Sequence, residues 1–215
     1  ISDDTRIRAA LPTIEYLKEQ GAAIVIMSHL GRPKGKAVPE MSLAPVAARL
    51  SEYLGCDVKF VASDVVVDDE VKDAAKALQA GEIMLIENVR YRNEETDNDP
   101  EFAKDLADLG DVFVQEAFGT AHRAHASTTG IAAYIPAVSG FLIEKELKYL
   151  GMAVDNPERP LCAIMGGAKV ADKITLIGNL LDKVDKLVIG GGMAFTFLKA
   201  MGFSIGTSLL DEEGL

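Results

Sequence analysis

The side chains of this chain that could do chemistry lie in loops directly after short apolar runs. Three of these loops contain arginine or histidine, and two contain paired or tripled glycines. Guanidinium and imidazole groups donate hydrogen bonds to carboxylate and phosphate oxygens, and glycines let an anion approach backbone N–H groups. The apolar runs are Ala22–Met27, Ile83–Ile86, Val112–Val114, Leu161–Met165 and Leu187–Ile189. The pattern indicates an enzyme that handles phosphate groups.

The first two loops each contain arginine soon after an apolar run. In the first loop, Gly31 permits a sharp turn, and His29 and Arg32 then project from the strand end as donors. The second loop contributes Arg90. The alternatives are a solvated surface loop for the first and a surface ion pair with Glu87 for the second.

The third loop contains two of the three histidines of the chain, His122 and His125, on either side of Arg123. A metal site is one alternative, but no nearby cysteine or acidic set completes a plausible coordination shell. A core or capping role for one histidine is another. We favour an anion pocket in which Arg123 makes forked contacts.

These basic residues stand out because the chain is acidic, with a net charge of −11 and a pI near 4.8. In an open parallel sheet the loops at the carboxyl ends of the strands share one edge, so the basic groups should converge there on a small, multiply charged anion. Arg6 joins them if the first helix points the same way. We call this set the basic rim: Arg6, His29, Arg32, Arg90, His122, Arg123 and His125.

The two glycine loops, which we call the glycine cradle, comprise residues 166–168 and 190–192. The first opens a predicted helix, so its N–H groups could face phosphate oxygens, and Lys169 and Lys173 should share a helix face. The order is neither a P-loop nor a full dinucleotide fingerprint. A nicotinamide-dependent dehydrogenase would need an acidic residue at the end of the second strand to hold the ribose hydroxyls. That strand ends here in Gly190–Gly192, which argues against a dehydrogenase and lets a flat ring approach the backbone. Glycine pairs can also be simple turns.

Helical periodicity between the runs predicts right-handed crossovers and a doubly wound, Rossmann-like α/β fold with a mainly parallel sheet. The predicted helices are Ile7–Leu17, Leu43–Leu54, Glu70–Leu78, Asp99–Gly110, Phe141–Val154, Val170–Val184 and Met193–Met201, with a further strand at Val58–Val61. Residues Asn156–Pro160 break the pattern. We therefore expect a first domain over residues 1–140, a connecting helix and hinge over 141–158, and the beginning of a second α/β domain over 159–215.

Composition excludes several classes of function. With 48% hydrophobic and 26% charged residues the chain is typical of a globular protein, and its acidity argues against a nucleic-acid partner. The longest weakly polar stretch, Ile131–Ile143, is too short to span a bilayer. Two distant cysteines without metal-ligand spacing indicate a reduced, cytoplasmic protein.

Five segments in this order and spacing closely resemble the phosphoglycerate kinase family. They are SHLGRP, ENVRY, AFGTAHRAHAST, GGAKVADK and GGGMAFTFL. The resemblance implies two doubly wound domains that close over a hinge. It also implies a glycolytic, ATP-binding phosphotransferase that moves the acyl phosphate of 1,3-bisphosphoglycerate to ADP, giving 3-phosphoglycerate and ATP with Mg²⁺. A non-catalytic module that binds a phosphorylated metabolite is the alternative.

The resemblance also implies residue roles. The phosphorylated acid would be bound by Arg6, His29, Leu30, Gly31, Arg32, Arg90 and Arg123. The nucleotide would be bound by Gly166, Ala168, Lys169, Lys173, Gly190, Gly191 and Leu209. Arg6 and Lys169 would meet the phosphoryl group during transfer. No protein metal ligand is expected in this chain, and we expect a monomer.

The chain departs from the family pattern in one place. Gln115–Glu116 stand where the family usually has Asn–Asp, one methylene shorter at each position, so the support of the third loop should differ. The resemblance also implies further parts outside this chain, including an earlier strand and the magnesium-orienting carboxylate. We therefore expect a fragment with no kinase turnover of its own.

Overall fold

The computed structural model describes residues 3–155 and 157–215, and the chain divides into two compact units. The first unit spans Ile1–Glu146 and the second Leu147–Leu215. Ile1, at the start of the predicted first domain, and Asn156, at the start of the predicted break, lie outside the described residues.

A three-stranded parallel sheet lies at the centre of the first unit. Its strands are β1 (Ile24–Ile26), β2 (Val58–Val61) and β3 (Ile83–Ile86), in the order β1–β3–β2. The middle strand, β3, is buried at all its positions, as a continuous aliphatic run requires. β1 is less buried, with Val25 and Ile26 only half-buried, because it lies at an end of this sheet.

Helices cover both faces of this sheet. The helices of the first unit up to residue 107 are α1 (Thr5–Glu19), α2 (Ala44–Leu54), α3 (Asp69–Ala77), α4 (Asn93–Asp97) and α5 (Pro100–Ala107). Ile83 and Leu85 pack with residues of α1 and α2, whereas Met84 and Ile86 pack with residues of α3 and α5. This alternation follows from the two-residue period of a strand. It confirms the predicted doubly wound arrangement.

The helix ends follow the capping residues of the sequence. The Asp68 carboxylate accepts from Val71 N at 2.9 Å at the start of α3, and the Asp99 carboxylate caps α5 through Glu101 N and Phe102 N. The helix α1 continues on both sides of Pro12. The short helix α4 was not predicted, because it is too polar to show an apolar period.

The first unit ends with a two-stranded parallel sheet and a long helix. These elements are β4 (Phe113–Gln115), β5 (Ala137–Ser139) and α6 (Phe141–Asp155), the last of which continues past residue 146. The sequence analysis missed β5. All three of its residues are exposed, so it lacks the apolar pattern of a buried strand.

The second unit contains the parallel strands β6 (Cys162–Gly166) and β7 (Lys186–Gly190), with α7 (Ile174–Leu181) and α8 (Met193–Ala200). Its buried core includes Val170, Ile177 and Met193. The predicted helix Val170–Val184 is shorter in the structure, where a 3₁₀ turn at Ala171–Lys173 precedes α7. Among the described residues, no helix has both the length and the apolarity needed to cross a membrane.

Candidate active site

Hydrogen bonds tie together the loops that follow β1 and β3. The buried Asn88 side chain donates from Nδ2 to Leu30 O at 2.8 Å, and Arg90 Nη1 donates to Gly31 O at 3.0 Å. Gly31 has a φ of +65°, a conformation that glycine adopts without strain. The turn that the sequence predicts therefore brings the first loop against the second.

A buried glutamate anchors the third loop to α4. Glu95 is 1% exposed and accepts from Ser127 N at 2.9 Å and from Ser127 Oγ at 2.6 Å. Its backbone oxygen accepts from Ala126 N at 2.9 Å, and its carboxylate lies 3.6 Å from His125 Nδ1. The sequence analysis missed Glu95, because nothing distinguishes it from the acidic residues beside it.

The pKa of His29 shows that four other residues of the basic rim lie near its imidazole. Burial, followed in decreasing order by the positive charges of Arg90, His125, Arg6 and Arg123, lowers the pKa of His29 to about 4. These groups come from α1 and from the loops after β1, β3 and β4. The structure therefore brings Arg6 into the same neighbourhood as the loop residues.

Arg90 lies at the centre of this cluster. Its pKa is lowered mainly by burial, and additionally by Arg123 and, to a smaller extent, Arg32. Arg90 Nε is buried and has no hydrogen-bond partner among the described residues. Such an N–H group lacks compensation for its burial until an acceptor binds.

The arginines of the chain fall into two groups. Each of Arg8, Arg49, Arg92 and Arg159 forms an ion pair with a carboxylate. Within residues 3–155 and 157–215, the rim arginines form no such pair. The rim arginines are Arg6, Arg32, Arg90 and Arg123. Their charges are therefore available to an external anion.

A cavity of about 310 Å³ opens beside these guanidinium groups. Its lining includes Arg32, Lys34, Arg90, Arg92 and Arg123, and none of its lining residues is acidic. A cavity of about 320 Å³ elsewhere in the unit is lined by Asp64 and Glu87 and does not suit an anion. The basic cavity is large enough for a small, multiply charged acid.

Gln115 and Glu116, for which the resemblance implies shorter side chains, support the third loop from its start. Gln115 Oε1 accepts from Ala117 N at 2.9 Å, and its Nε2 donates to Thr128 O at 3.4 Å. Glu116 Oε1 accepts from Thr13 Oγ1 at 2.8 Å and from Leu142 N at 2.9 Å. Both longer side chains are therefore engaged in the fold.

The two parts of the glycine cradle lie side by side in the second unit. Gly166 is opposite Gly190 in the sheet, and Gly167 O accepts from Met193 N at 2.8 Å. Gly191 has a φ of +68°, and a β-carbon there would lie 3.0 Å from Gly167 O. Glycine at position 191 is therefore favoured both by its φ and by the close approach of Gly167, whereas a β-carbon on Gly166 or Gly190 would meet only ordinary contacts.

The remaining predicted nucleotide residues lie around the cradle. A β-carbon on Gly192 would lie 2.8 Å from Leu209 Cδ2, and one on Gly167 would lie 3.4 Å from Lys173 Nζ. Ala168 and Lys169 are exposed. The expectation that Lys169 and Lys173 share a helix face is wrong, because Lys169 precedes the first helical residue of this segment, Ala171.

Asp211 changes the interpretation of the first glycine loop. It is 7% exposed, and its Oδ2 accepts from Val170 N at 2.6 Å and from Ala171 N at 2.9 Å. The hydrogen bond from Ala171 N is the main cause of its lowered pKa. Val170 N and Ala171 N therefore do not face phosphate, because a carboxylate of the protein already accepts from them. For the N–H groups of residues 166–168 the expectation stays a prediction.

Thr196 holds the backbone of Asp211. Thr196 is 1% exposed, and its Oγ1 accepts from Asp211 N at 3.0 Å. The sequence analysis noted the segment around Asp211 only as the start of a helix. An aspartate followed by two glutamates gives no signal that separates a buried carboxylate from solvated ones.

Among the described residues, no group of three or more histidine, cysteine, aspartate or glutamate side chains could hold a metal ion. His125 instead faces Glu95, which is bonded to the backbone and side chain of Ser127. His125 thus takes part in the anchoring of that loop.

Comparisons with known proteins agree with this geometry. The family model described as phosphoglycerate kinase matches residues 1–215. A phosphoglycerate kinase of Clostridium botulinum (strain Eklund 17B / Type B) is 58% identical over 216 residues, which covers 100% of this chain and 54% of that protein. One of Finegoldia magna is 56% identical over 215 residues, again covering 54% of the relative.

Solved structures give the same result. The phosphoglycerate kinase of Coxiella burnetii matches with a TM-score of 0.86 at 49% identity, covering 99% of this chain and 53% of that one. The enzyme from Pyrococcus horikoshii OT3 matches with a TM-score of 0.81 at 35% identity, covering 96% and 52%. The chain spans about half the length of the curated relatives it matches. It belongs to the phosphoglycerate kinase family.

Proposed function

We propose that this chain provides the site for the phosphorylated acid, and part of the nucleotide site, of a phosphoglycerate kinase. The proposed reaction transfers the acyl phosphate of 1,3-bisphosphoglycerate reversibly to ADP, giving 3-phosphoglycerate and ATP in glycolysis. The observation that carries the proposal is the group of rim arginines around the half-buried His29, which have no carboxylate partner in the part of the chain that the structure describes.

The charge of the rim suits this acid. 3-Phosphoglycerate carries a carboxylate and a phosphate, and guanidinium groups bind both through paired N–H donors. His29, whose pKa is lowered to about 4, is neutral near pH 7 and offers one N–H donor and one acceptor. The rim therefore binds the anion mainly through Arg32, Arg90 and Arg123, with Arg6 as the contribution of α1.

The reaction needs no general base. An oxygen of the terminal phosphate of ADP attacks the phosphorus of the acyl phosphate, and the bond from that phosphorus to the acyl oxygen breaks. The electron pair leaves on the carboxylate, which is stable as an anion near neutral pH. Catalysis then depends on positioning and on neutralising the charge of the phosphoryl group, for which we assign Lys169.

We assign the nucleotide to the second unit. Lys173 lies over Gly167 and is placed to meet phosphate oxygens, while Gly190, Gly191 and Leu209 offer an apolar, side-chain-poor surface for a flat ring. Mg²⁺ bound mainly through nucleotide phosphates would neutralise part of their charge. A module that only binds a phosphorylated metabolite would explain the rim but not this second site. We propose that the protein acts in the cytoplasm as a monomer.

A pair of arginines in one cavity tests the proposal. Arg32 and Arg92 both line the basic cavity, but Arg92 is neutralised by Glu94, with Nη2 2.6 Å from Oε1. We would measure 3-phosphoglycerate and ADP binding by calorimetry in an extended protein, in which this chain is continued to the length of its relatives. Loss of a charged hydrogen bond predicts that Arg32→Ala weakens 3-phosphoglycerate binding by about 10- to 100-fold.

The control for Arg32→Ala is an arginine substitution in the same cavity. Arg92→Ala should weaken 3-phosphoglycerate binding by only about threefold, because its charge is already paired. ADP binding should be unchanged in both variants. Equal loss of both ligands in Arg32→Ala, or no ATP formation from 1,3-bisphosphoglycerate by the extended protein, would contradict the proposed function.

A further inference from the structure

A side-chain junction joins α1, the third loop and the start of α6. Glu116 Oε1 accepts from both Thr13 Oγ1, at 2.8 Å, and Leu142 N, at 2.9 Å. Thr13 Oγ1 in turn accepts from Phe141 N at 3.0 Å. The first two amide groups of α6 are therefore capped by side chains that come from two other segments.

Thr13 and Glu116 each belong to a segment next to a residue of the basic rim. Thr13 is 6% exposed and lies on α1, the helix that carries Arg6. Glu116 directly precedes the third loop, which carries Arg123 and is tied at its far end to Glu95 through Ser127. A movement of Glu116 would therefore shift one end of this loop and release α1 at the same time.

Gly140 provides the space that Glu116 requires. A β-carbon on Gly140 would overlap Glu116 Oε2, and this oxygen is buried without a hydrogen-bond partner among the described residues. Gly140 does not have a positive φ, so alanine is compatible with its backbone conformation. The requirement for glycine at this position is therefore one of space for the glutamate and not one of backbone freedom.

We propose that Glu116 is a positioning residue for the phosphorylated acid, and that Gly140 is matched to its length. Glu116 does not contact the acid. It holds the Arg123 loop and the helix of Arg6 in a fixed relation by bonding both to the first turn of α6. This inference rests on the proposed function, since the effect on the acid is exerted through the rim arginines.

The first test is Gly140→Ala in the extended protein. The added methyl group should displace the Glu116 carboxylate and raise the KM for 3-phosphoglycerate by about tenfold, because small misplacements of binding groups are costly. The KM for ADP should change by less than about twofold. Gly110→Ala is the matched control, because a β-carbon there meets nothing within 4 Å and its φ is also not positive.

The second test is rescue. Glu116→Asp withdraws the carboxylate by one methylene and makes room for the alanine, so adding Glu116→Asp to Gly140→Ala should bring the KM for 3-phosphoglycerate back to within about threefold of Glu116→Asp alone. Thr13→Val, which keeps the volume but removes the hydroxyl, should raise the same KM without affecting that for ADP. These results together would support the assignment.

The contrary outcomes can be separated from failure of the proposed function. An unchanged KM in Gly140→Ala, an equal rise for both substrates, or absence of rescue would overturn the positioning role. If the extended protein has no kinase activity, the proposed function fails, and the match between positions 116 and 140 is judged by urea unfolding. Non-additive changes in the unfolding midpoint would support the match, and additive changes would overturn it.

Discussion

The basic rim and the glycine cradle, which we propose as two anion sites, are built in opposite ways. The rim gathers guanidinium groups that have no carboxylate partner among residues 3–155 and 157–215, and the repulsion between its positive charges contributes to the lowered pKa values of His29 and Arg90. The cradle brings bare backbone segments together and places the carboxylate of Asp211 on the helix-start amides. A binding site can therefore be built either from cationic side chains without carboxylate partners or from glycines that leave the backbone accessible.

The difference fits the ligands that we propose. A small acid with two charged ends offers little surface, so its binding must come from charge. A nucleotide has a large flat ring, so a surface without side chains contributes by close approach. The lysines beside the cradle then supply the charge for its phosphates.

The largest effect is expected at Lys169, beside the cradle, where a substitution should lower catalysis much more than nucleotide binding. Lys169→Ala should lower the turnover number of the extended protein by about 10²- to 10³-fold, because a cation aimed at the transferring group stabilises mainly the transition state. The KM for ADP should change by less than about threefold. Steady-state kinetics measures both, and an unchanged turnover number would remove Lys169 from catalysis.

An intermediate effect would sharpen the role of Asp211. Asp211→Ala leaves two buried or half-buried amides without an acceptor and should lower the free energy of unfolding by about 1–3 kcal/mol. Urea unfolding of the extended protein measures this loss. Asp211→Asn, which keeps an acceptor oxygen, should lose less.

Asp211→Ala also tests whether the carboxylate excludes phosphate from the helix start. Calorimetry should show that ADP binding does not improve in this variant. Tighter ADP binding would contradict the view that Lys169 and Lys173, and not the helix-start amides, serve the phosphates.

The smallest expected effect concerns the charge of His29. Because its pKa is lowered to about 4 in the folded state, the unfolded state takes up a proton first as the pH falls below about 6.5. Stability from the neutral imidazole is therefore fully present above about pH 6.5 and is lost as the pH falls towards 4. His29→Gln should reduce this loss, measured by urea unfolding at pH 7 and pH 5.

NMR of the His29 imidazole gives the direct control. Without ligand the ring should remain neutral at pH 6, and a bound phosphorylated acid should raise its midpoint, because the added negative charge opposes the repulsion of the arginines. A midpoint near 6.5 without ligand would contradict the convergence of the rim.

Much of the fold could be predicted because its signals are local. The run Ile83–Ile86 is aliphatic throughout because β3 is buried on both faces, and Asp99–Pro100 starts α5 as expected. Exposed β5 and polar α4 were missed, because neither has the apolar spacing that reports burial.

The candidate site was predictable where its residues are unusual in type. Arginine and histidine at strand ends are conspicuous in an acidic chain, so the rim could be predicted before its geometry was known. Glu95 and Asp211 were not recognised as supports, because an acidic residue whose partner is distant in sequence resembles a solvated one. The four-residue spacing of Lys169 and Lys173 also suggested one helix face, but this spacing rule applies only inside a helix, and Lys169 precedes the helical turn that begins at Ala171.

The helix start next to Lys169, which is capped by Asp211, implies that binding of the proposed nucleotide should depend on ionic strength. Because Asp211 already accepts from Val170 N and Ala171 N, attraction for the phosphates of the nucleotide that we propose would come from lysine ammonium groups, and Lys169 is exposed to water. Attraction between exposed charges weakens as dissolved electrolyte shortens its range. Cellular potassium salts would thus limit how long a nucleotide remains bound there.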